Sequence, residues 1–309
     1  MNCPICKSDT TPIKNISRTF IKSALSKYFN TAVVPDEIID TDYQINSCPS
    51  CTLEFANPLT PGNDHFYNWI TKQDHYYPAV RWEYSIAKSL IISDTAEKVK
   101  VIDIGCGSGD FLEILIKDNN NIIARGLDST ESSVQSCKDK GLDVSCVYLE
   151  DIVKDHLNYF DFVTSFHVLE HVSDPYNFVA EMKKILKPGG SILLSTPYSP
   201  MSFETDWYDP LNHPPHHMSR WNTKSYTRLA DLLNMKINFI YPETLSTFRR
   251  TCYTIKYKNN IKDRLGIIKS ILLKPISFIN IYRHQLKREK LPNGQYAPNV
   301  VLVKLTKND

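Results

Sequence analysis

The sequence predicts a doubly wound α/β fold carrying a small metal-binding module at its N-terminus. Three observations lead there. Apolar, β-branched runs alternate with stretches of helical periodicity between residues 99 and 196, the pattern of a parallel sheet covered on both faces. The first of those runs ends in a glycine-rich turn, Gly105-Cys106-Gly107-Ser108-Gly109. Four of the eight cysteines form two Cys-x-x-Cys pairs close to the N-terminus. With 309 residues, 42% hydrophobic and 23% charged, the chain is long enough for one large domain and an appendage.

The elements follow in order. Residues 1–57 hold both cysteine pairs and form the module. Residues 58–80 are rich in Pro, Asn, Asp and aromatics, among them Tyr76, Tyr77 and Pro78, and read as a linker or lid. Residues 81–94 read as a helix leading into the main domain, so that 58–98 is linker, lid and leading helix. The main domain then runs from 99 to 309. Residues 99–104 are the first strand and 110–117 the first helix, with Phe111, Leu112, Leu115 and Ile116 at helical spacing. A second strand is expected at 122–127. A second helix at 130–140 has Ser129 or Thr130 as its cap and Gly141 as its end. Strands at 144–149, 160–166 and 191–195 follow, the last two separated by a helix at 175–186 and a Lys187-Pro188-Gly189-Gly190 turn. Beyond an irregular segment at 197–222 come a helix at 224–233, a strand at 236–241, a basic helical insertion at about 249–290, and a final strand at 299–305.

The glycine turn selects its ligand by what surrounds it. A dinucleotide site would read GxGxxG/A, but the sixth position is Asp110, an acid where a pyrophosphate would sit at a helix N-terminus. A P-loop is excluded because no Gly-Lys-Ser/Thr follows. S-adenosylmethionine carries a sulfonium and an ammonium and no phosphate, so Asp103 and Asp110 are compatible with it. Asp128, at the end of the second strand, stands at the spacing of a carboxylate that accepts ribose hydroxyls.

Residues 99–196 resemble class I S-adenosylmethionine-dependent methyltransferases. The motifs that carry the resemblance are Asp103-Ile104-Gly105-Cys106-Gly107-Ser108-Gly109, Gly126-Leu127-Asp128, Phe160-Asp161-Phe162-Val163, His167-Val168-Leu169-Glu170-His171-Val172-Ser173-Asp174-Pro175 and Leu186-Lys187-Pro188-Gly189-Gly190. The resemblance implies a seven-stranded sheet whose last strands form an antiparallel hairpin. It also implies cofactor contacts from Asp103, Gly105, Cys106, Gly107, Gly109, Asp128, Leu149, Glu150, Phe166 and His167. Glu150 and Asp151 are both acids after the third strand, and either can stand nearer the adenine.

Cys3-Pro4-Ile5-Cys6 and Cys48-Pro49-Ser50-Cys51 are two knuckles, and together they offer four thiolates to one tetrahedral ion. Such a set leaves no open position, so a structural Zn2+ is expected on Cys3, Cys6, Cys48 and Cys51. Sugar methyltransferases of natural-product and surface-polysaccharide pathways look similar, with a module of this kind before the same core.

The acceptor side is expected at two histidine-bearing segments, since ligands of such sheets lie beyond the carboxyl ends of the strands. One holds His167 and His171. The other is Asp209-Pro210-Leu211-Asn212-His213-Pro214-Pro215-His216-His217-Met218-Ser219-Arg220-Trp221, similar to a Pro-Pro-His-His-x-Ser-Arg-Trp segment of polysaccharide-type methyltransferases. His216 or His217 is the expected general base, with His167 next. A histidine-rich surface loop is the bland alternative. A second metal site is disfavoured because adjacent His216 and His217 are not expected to face one ion. Tyr198, Trp207, Tyr208 and Trp221 are candidates to stack on a sugar or ring.

The formal net charge of +2 names no partner, but the insertion at 249–290 concentrates Lys and Arg among long apolar side chains. It reads as a solvated helical pair, or as a basic surface for an anionic membrane or lipid-linked acceptor. No run approaches the roughly 18–20 apolar residues of a membrane span and the N-terminus has no signal-peptide pattern, so a cytoplasmic protein, peripheral to the membrane at most, is expected. The predicted function is methyl transfer to a small molecule or glycan at a sugar hydroxyl or carbon. The alternative is an RNA or protein methyltransferase that uses the module for recognition. Nucleic acid is disfavoured because Ser165-Phe166-His167-Val168 stands where an Asn-Pro-Pro-Tyr-like motif would.

Overall fold

The computed structural model describes the chain except residues 32–33, 74–80, 93–97, 118, 205–207, 242–245, 260, 262, 289, 291–295, 297 and 309. Tyr76, Tyr77 and Pro78 of the expected lid and Trp207 of the expected stacking group lie outside the described residues.

The N-terminal part contains β1 (Thr11–Ile16), α1 (Arg18–Phe29), β2 (Tyr43–Ser47) and β3 (Glu54–Asn57). Ser17 starts α1 by accepting the Phe20 N–H, and Asn30 ends it in the left-handed conformation, the usual division of labour between caps. Next come α2 (Asp64–Ile70) and α3 (Trp82–Ile92). The described part of 58–80 is therefore not a loose linker. Asn63 caps α2 through the Phe66 N–H, and Phe66 and Ile70 are fully buried against Ile16, Ile21 and Leu25 of the module.

The main domain runs β4 (Val99–Ile104), α4 (Asp110–Ile116), β5 (Ile122–Leu127), α5 (Glu131–Asp139), β6 (Val144–Ser145), α6 (Leu149–Ile152), β7 (Phe160–Phe166), α7 (Pro175–Ile185) and β8 (Leu186–Pro197). It continues through β9 (Ser219–Arg220), α8 (Thr223–Leu232), β10 (Met235–Ile240), α9 (Thr247–Lys258), α10 (Arg264–Leu273), α11 (Pro275–Leu286) and β11 (Val300–Lys307). The strand at 144–149 is shorter than expected. The Asp151 carboxylate takes the Tyr148 N–H and turns the chain into α6 after two paired residues. The strand expected at 191–195 begins earlier, because Leu186 already pairs with Phe160; residues 187–190 then bulge out before pairing resumes at Ser191 opposite Phe162, with Gly189 at φ +72°.

Seven strands form one mixed sheet in the order β10-β11-β8-β7-β4-β5-β6. β4 to β8 run parallel, while β11 is antiparallel to both β8 and β10. The antiparallel end matches the expected hairpin, and the helical insertion expected between its strands consists of α9, α10 and α11. The sheet is apolar on both faces, as burial under helices demands. β8 alone buries Ile192, Leu193 and Leu194 completely, each contributing roughly 1.5–3 kcal/mol.

A second sheet has the order β1-β2-β3-β9. Its fourth strand comes from the main domain: Glu54 pairs with Arg220 and Phe55 with Ser219. Cys3, Cys48, Cys51, Leu53 and Phe55 share one core cluster with Trp221, Tyr226 and Val301. The module is thus packed onto the main domain rather than tethered to it.

Candidate active site

The glycine turn lies at the carboxyl end of β4, at the centre of the seven-stranded sheet. Gly105 and Gly107 stand at φ +72° and +54°, which side chains other than glycine's seldom adopt. They do different jobs. A Cβ on Gly105 would lie 2.5 Å from Val168 Cγ2, whereas one on Gly107 would meet nothing within 4 Å. Gly105 lets the turn press against the segment after β7, and Gly107 leaves open space where a side chain would stand. Cys106 is buried against α5 and β6, and Gly109 begins α4.

Asp128 follows β5. One carboxylate oxygen accepts the Gly107 N–H and the other the Thr130 N–H, both at 2.9 Å. Each oxygen keeps a second lone pair, so the pair of hydroxyls on a ribose fits a carboxylate already aimed at the glycine turn. Asp103 lies in β4, buried and bonded by Thr164 Oγ1 at 2.7 Å. Burial pushes its carboxyl up to about 7, although the Thr164 hydrogen bond opposes the shift. After β6, Leu149 is buried and Glu150 exposed. Asp151 serves as a cap, which leaves Glu150 as the acid of that pair available to an adenine. Phe166 packs its ring on Phe111 and Tyr84, with centroids 4.7 and 5.0 Å apart, so its side chain belongs to the core beneath the site.

His167, directly after β7, has φ +57°, at a cost of roughly 1–3 kcal/mol for a residue other than glycine. Its Nε2 lies 2.8 Å from Glu83 Oε1 and its Nδ1 3.3 Å from Glu170 Oε1. Burial alone would lower this imidazole, but Glu170 and Glu83 together raise it. Glu83, on α3, lay outside the sequence-derived site. Nothing in a short helix outside the motifs marks one glutamate, and only the fold shows that it meets His167.

The 209–221 segment is not the surface loop of the bland reading. His213, His216 and His217 are all buried, and the segment is stitched into its surroundings. Met218 and Ser219 donate their N–H groups to Glu170 O at 2.7 and 3.1 Å, and Gly62 donates to Pro215 O. Burial, reinforced by neighbouring histidines, pushes His216 and His217 well below the ordinary imidazole range, making them poor proton acceptors near neutral pH. Trp221 is fully buried, against Tyr226 and with its Nε1 bonded to Ser219 Oγ, and Tyr198 is also buried. Neither presents a face for stacking on a sugar. Tyr208 stacks instead on His213, centroids 4.2 Å apart.

The four cysteines meet. Cys3 Sγ lies 3.6 Å from Cys51 Sγ, and Cys6 Sγ lies 3.5 Å from Cys48 Sγ and 3.8 Å from Cys51 Sγ. A tetrahedral ion with bonds of about 2.3 Å to sulfur requires S···S separations of roughly 3.8 Å, so the set fits. The knuckles share one backbone form: Lys7 N donates to Cys3 O and Thr52 N to Cys48 O, and Lys7 and Thr52 both take positive φ.

The family model described as a methyltransferase domain matches residues 79–237. The ubiquinone biosynthesis O-methyltransferase of Erwinia tasmaniensis is 35% identical over 103 residues, 31% of this chain and 42% of that protein. Its counterpart from Methylococcus capsulatus is also 35% identical over 103 residues, 43% of its length. The alignments thus span less than half of each relative. Among solved structures, the YcgJ protein from Bacillus subtilis superimposes with a TM-score of 0.50 at 18% identity, over 74% of this chain and 98% of that one, a likeness of fold. The chain belongs to the methyltransferase domain family.

Proposed function

We propose that the chain is an S-adenosylmethionine-dependent methyltransferase acting on a hydroxyl of a small molecule. The observation that carries this reading is the glycine turn with Asp128 aimed into it, in a chain of the methyltransferase family. When bound, the cofactor supplies an electrophilic methyl group. Asp128 would hold the ribose, Glu150 would stand on the adenine side, and the free space beside Gly107 would admit the ligand between them. Relatives named for O-methylation support an oxygen acceptor. The resemblance of the cysteine module and the 209–221 segment to those of sugar methyltransferases makes sugar hydroxyls the first acceptors to try.

His167 is the proposed proton-handling residue, in place of His216 or His217. It adjoins Val168, which packs on Gly105, and its basicity is raised where theirs is lowered. Glu83 and Glu170 hold it and stabilise its charged form. The proposed structural zinc on Cys3, Cys6, Cys48 and Cys51 would fix the module that walls one side of this region.

Calorimetry with S-adenosylhomocysteine tests the donor site. Asp128→Ala should weaken binding by roughly 1.5–3 kcal/mol, the worth of hydrogen bonds to a charged group, and unchanged affinity refutes the assignment. Labelled methyl transfer to pooled hydroxylated small molecules, sugars and RNA tests the acceptor class. His167→Asn should lower turnover by roughly 10²–10⁴-fold with S-adenosylhomocysteine affinity retained. Incorporation into RNA alone would overturn the small-molecule reading.

A second observation bears on where the acceptor comes from. Among the described residues no single helix is long and apolar enough to cross a membrane. Yet Leu272, Leu273 and Ile276 are each more than 70% exposed at the corner where α10 and α11 meet at 104°. Lys274 stands at that corner, and Lys269 about one turn before it on α10. We propose that it dips into an anionic membrane surface, apolar tips inward and cations at the headgroups. Sedimentation with phosphatidylglycerol vesicles should carry the protein down, and Leu272→Glu/Leu273→Glu should release it. Equal sedimentation of both proteins refutes the contact.

A further inference from the structure

We propose that His171, His216 and His217 form a second metal site, for a divalent transition-metal ion of the zinc, iron or cobalt kind. One ring nitrogen from each can be chosen so that the three lie within 4.8 Å of one another. The expectation that neighbouring His216 and His217 cannot face one ion is overturned by their anchoring. His216 Nδ1 bonds to Leu211 O at 2.8 Å, and His217 Nδ1 to Asn212 Oδ1 at 3.0 Å. Held this way, the rings stack at 4.5 Å and 25° and turn to the same side. His171 meets both edge-on, with centroids 4.6 and 4.7 Å away.

The hydrogen bonds also fix the tautomers. His171 Nδ1 bonds to His216 O at 2.6 Å, so all three Nδ1 atoms face oxygens that can only accept. Each Nδ1 must therefore carry the proton, and each Nε2 the lone pair. Metal-ligating histidines are held in this manner, one nitrogen donating to a carbonyl while the other binds the ion. Three imidazoles suit a transition metal better than magnesium or calcium.

A second observation points the same way. Glu170 is 1% exposed; its Oε1 has His167 Nδ1 at 3.3 Å, while its Oε2 accepts no hydrogen bond among the described residues. Its Oε1 lies 3.9 Å from His217 Nε2, so a carboxylate and a lone-pair nitrogen face each other in a buried place. A cation beside them resolves that opposition, with Glu170 adjacent to the ion. The segments bearing the ligands are already pinned together by the bonds from Met218 and Ser219 to Glu170 O. Three protein ligands leave at least one position for water or a substrate oxygen, unlike the four-sulfur site.

The test is metal content and X-ray absorption on the intact chain saturated with zinc and freed of excess. Two ions per chain and a zinc shell of mixed sulfur and nitrogen are expected. His216→Gln and His217→Gln should each lose one ion of the two and leave a pure sulfur shell. One ion per chain with a sulfur-only shell in the unaltered protein overturns the site, and that measurement decides even if the variants fail to fold. Variants that remain folded and keep both ions overturn it as well.

Discussion

The two sheets reach stability by opposite routes. The seven-stranded sheet is covered on both faces and buries whole strands. The four-stranded sheet is thin: most of β1 is exposed, its fourth strand has two residues, and four cysteines gather at one end. A small unit that cannot bury enough apolar surface commonly relies on metal or on a neighbour for support; this one has its neighbour in β9, and the zinc proposed on its four cysteines would add the other.

The largest effect should come from removing the metal support. Cys48→Ser should lose one zinc per chain and unfold the module first, since structural zinc binding is worth about 10–16 kcal/mol in comparable peptides. Limited proteolysis should then cut within 1–57 ahead of the main domain. Retained zinc and unchanged proteolysis would mean that the cysteines are plain thiols.

The neighbour's support comes next. Arg220 on β9 is buried and joins Glu54 of the module at 2.9 Å to Glu204 at 2.7 Å. Arg220→Met should destabilise the protein by about 3–5 kcal/mol, the cost of leaving a buried pair half broken. Adding Glu204→Gln should recover part of it. A denaturation midpoint equal to that of the parent would show that the ion pairs add nothing to the strand pairing and packing that join the two parts.

The smallest effect, taken per pH unit, belongs to the large sheet. The Asp103 carboxyl is raised from 3.8 to about 7 in the fold, so between those values the folded state holds a proton that the unfolded chain has released. Stability is therefore present at low pH and falls as pH rises through that window, by at most about 1.4 kcal/mol per unit. Asp103→Asn should remove this one-proton slope from urea midpoints measured between pH 4.5 and 7. An unchanged slope would mean that the proton is held elsewhere.

The two sheets were also unequally legible. The strands from β4 to β8 could be read because their signals are local: β-branched runs, a glycine turn, and a helix opened by Asp174 and Pro175. The proposed cofactor residues could be named for the same reason, being fixed by spacing along the chain. The pairing of β3 with β9 left no mark, since two residues carry no periodicity and their partners are distant in sequence. The histidine trio was hidden by a different cause. Spacing suggested that His216 and His217 point apart, and only the carbonyls of Leu211 and Asn212 turn them together. Glu83 was invisible until α3 was seen to lie beside His167.

The late arrival of β9 bears on how the chain is made. Strand β3 leaves the ribosome early, but its partner follows about 164 residues later. At synthesis rates of roughly 5–20 residues per second, that is a wait of about 8–33 s. Through that interval β3 is an open edge, with backbone donors and acceptors that any other strand could pair. The nascent module therefore stays unfinished until most of the large sheet has been synthesised, and early capture of metal by the cysteines would protect it meanwhile.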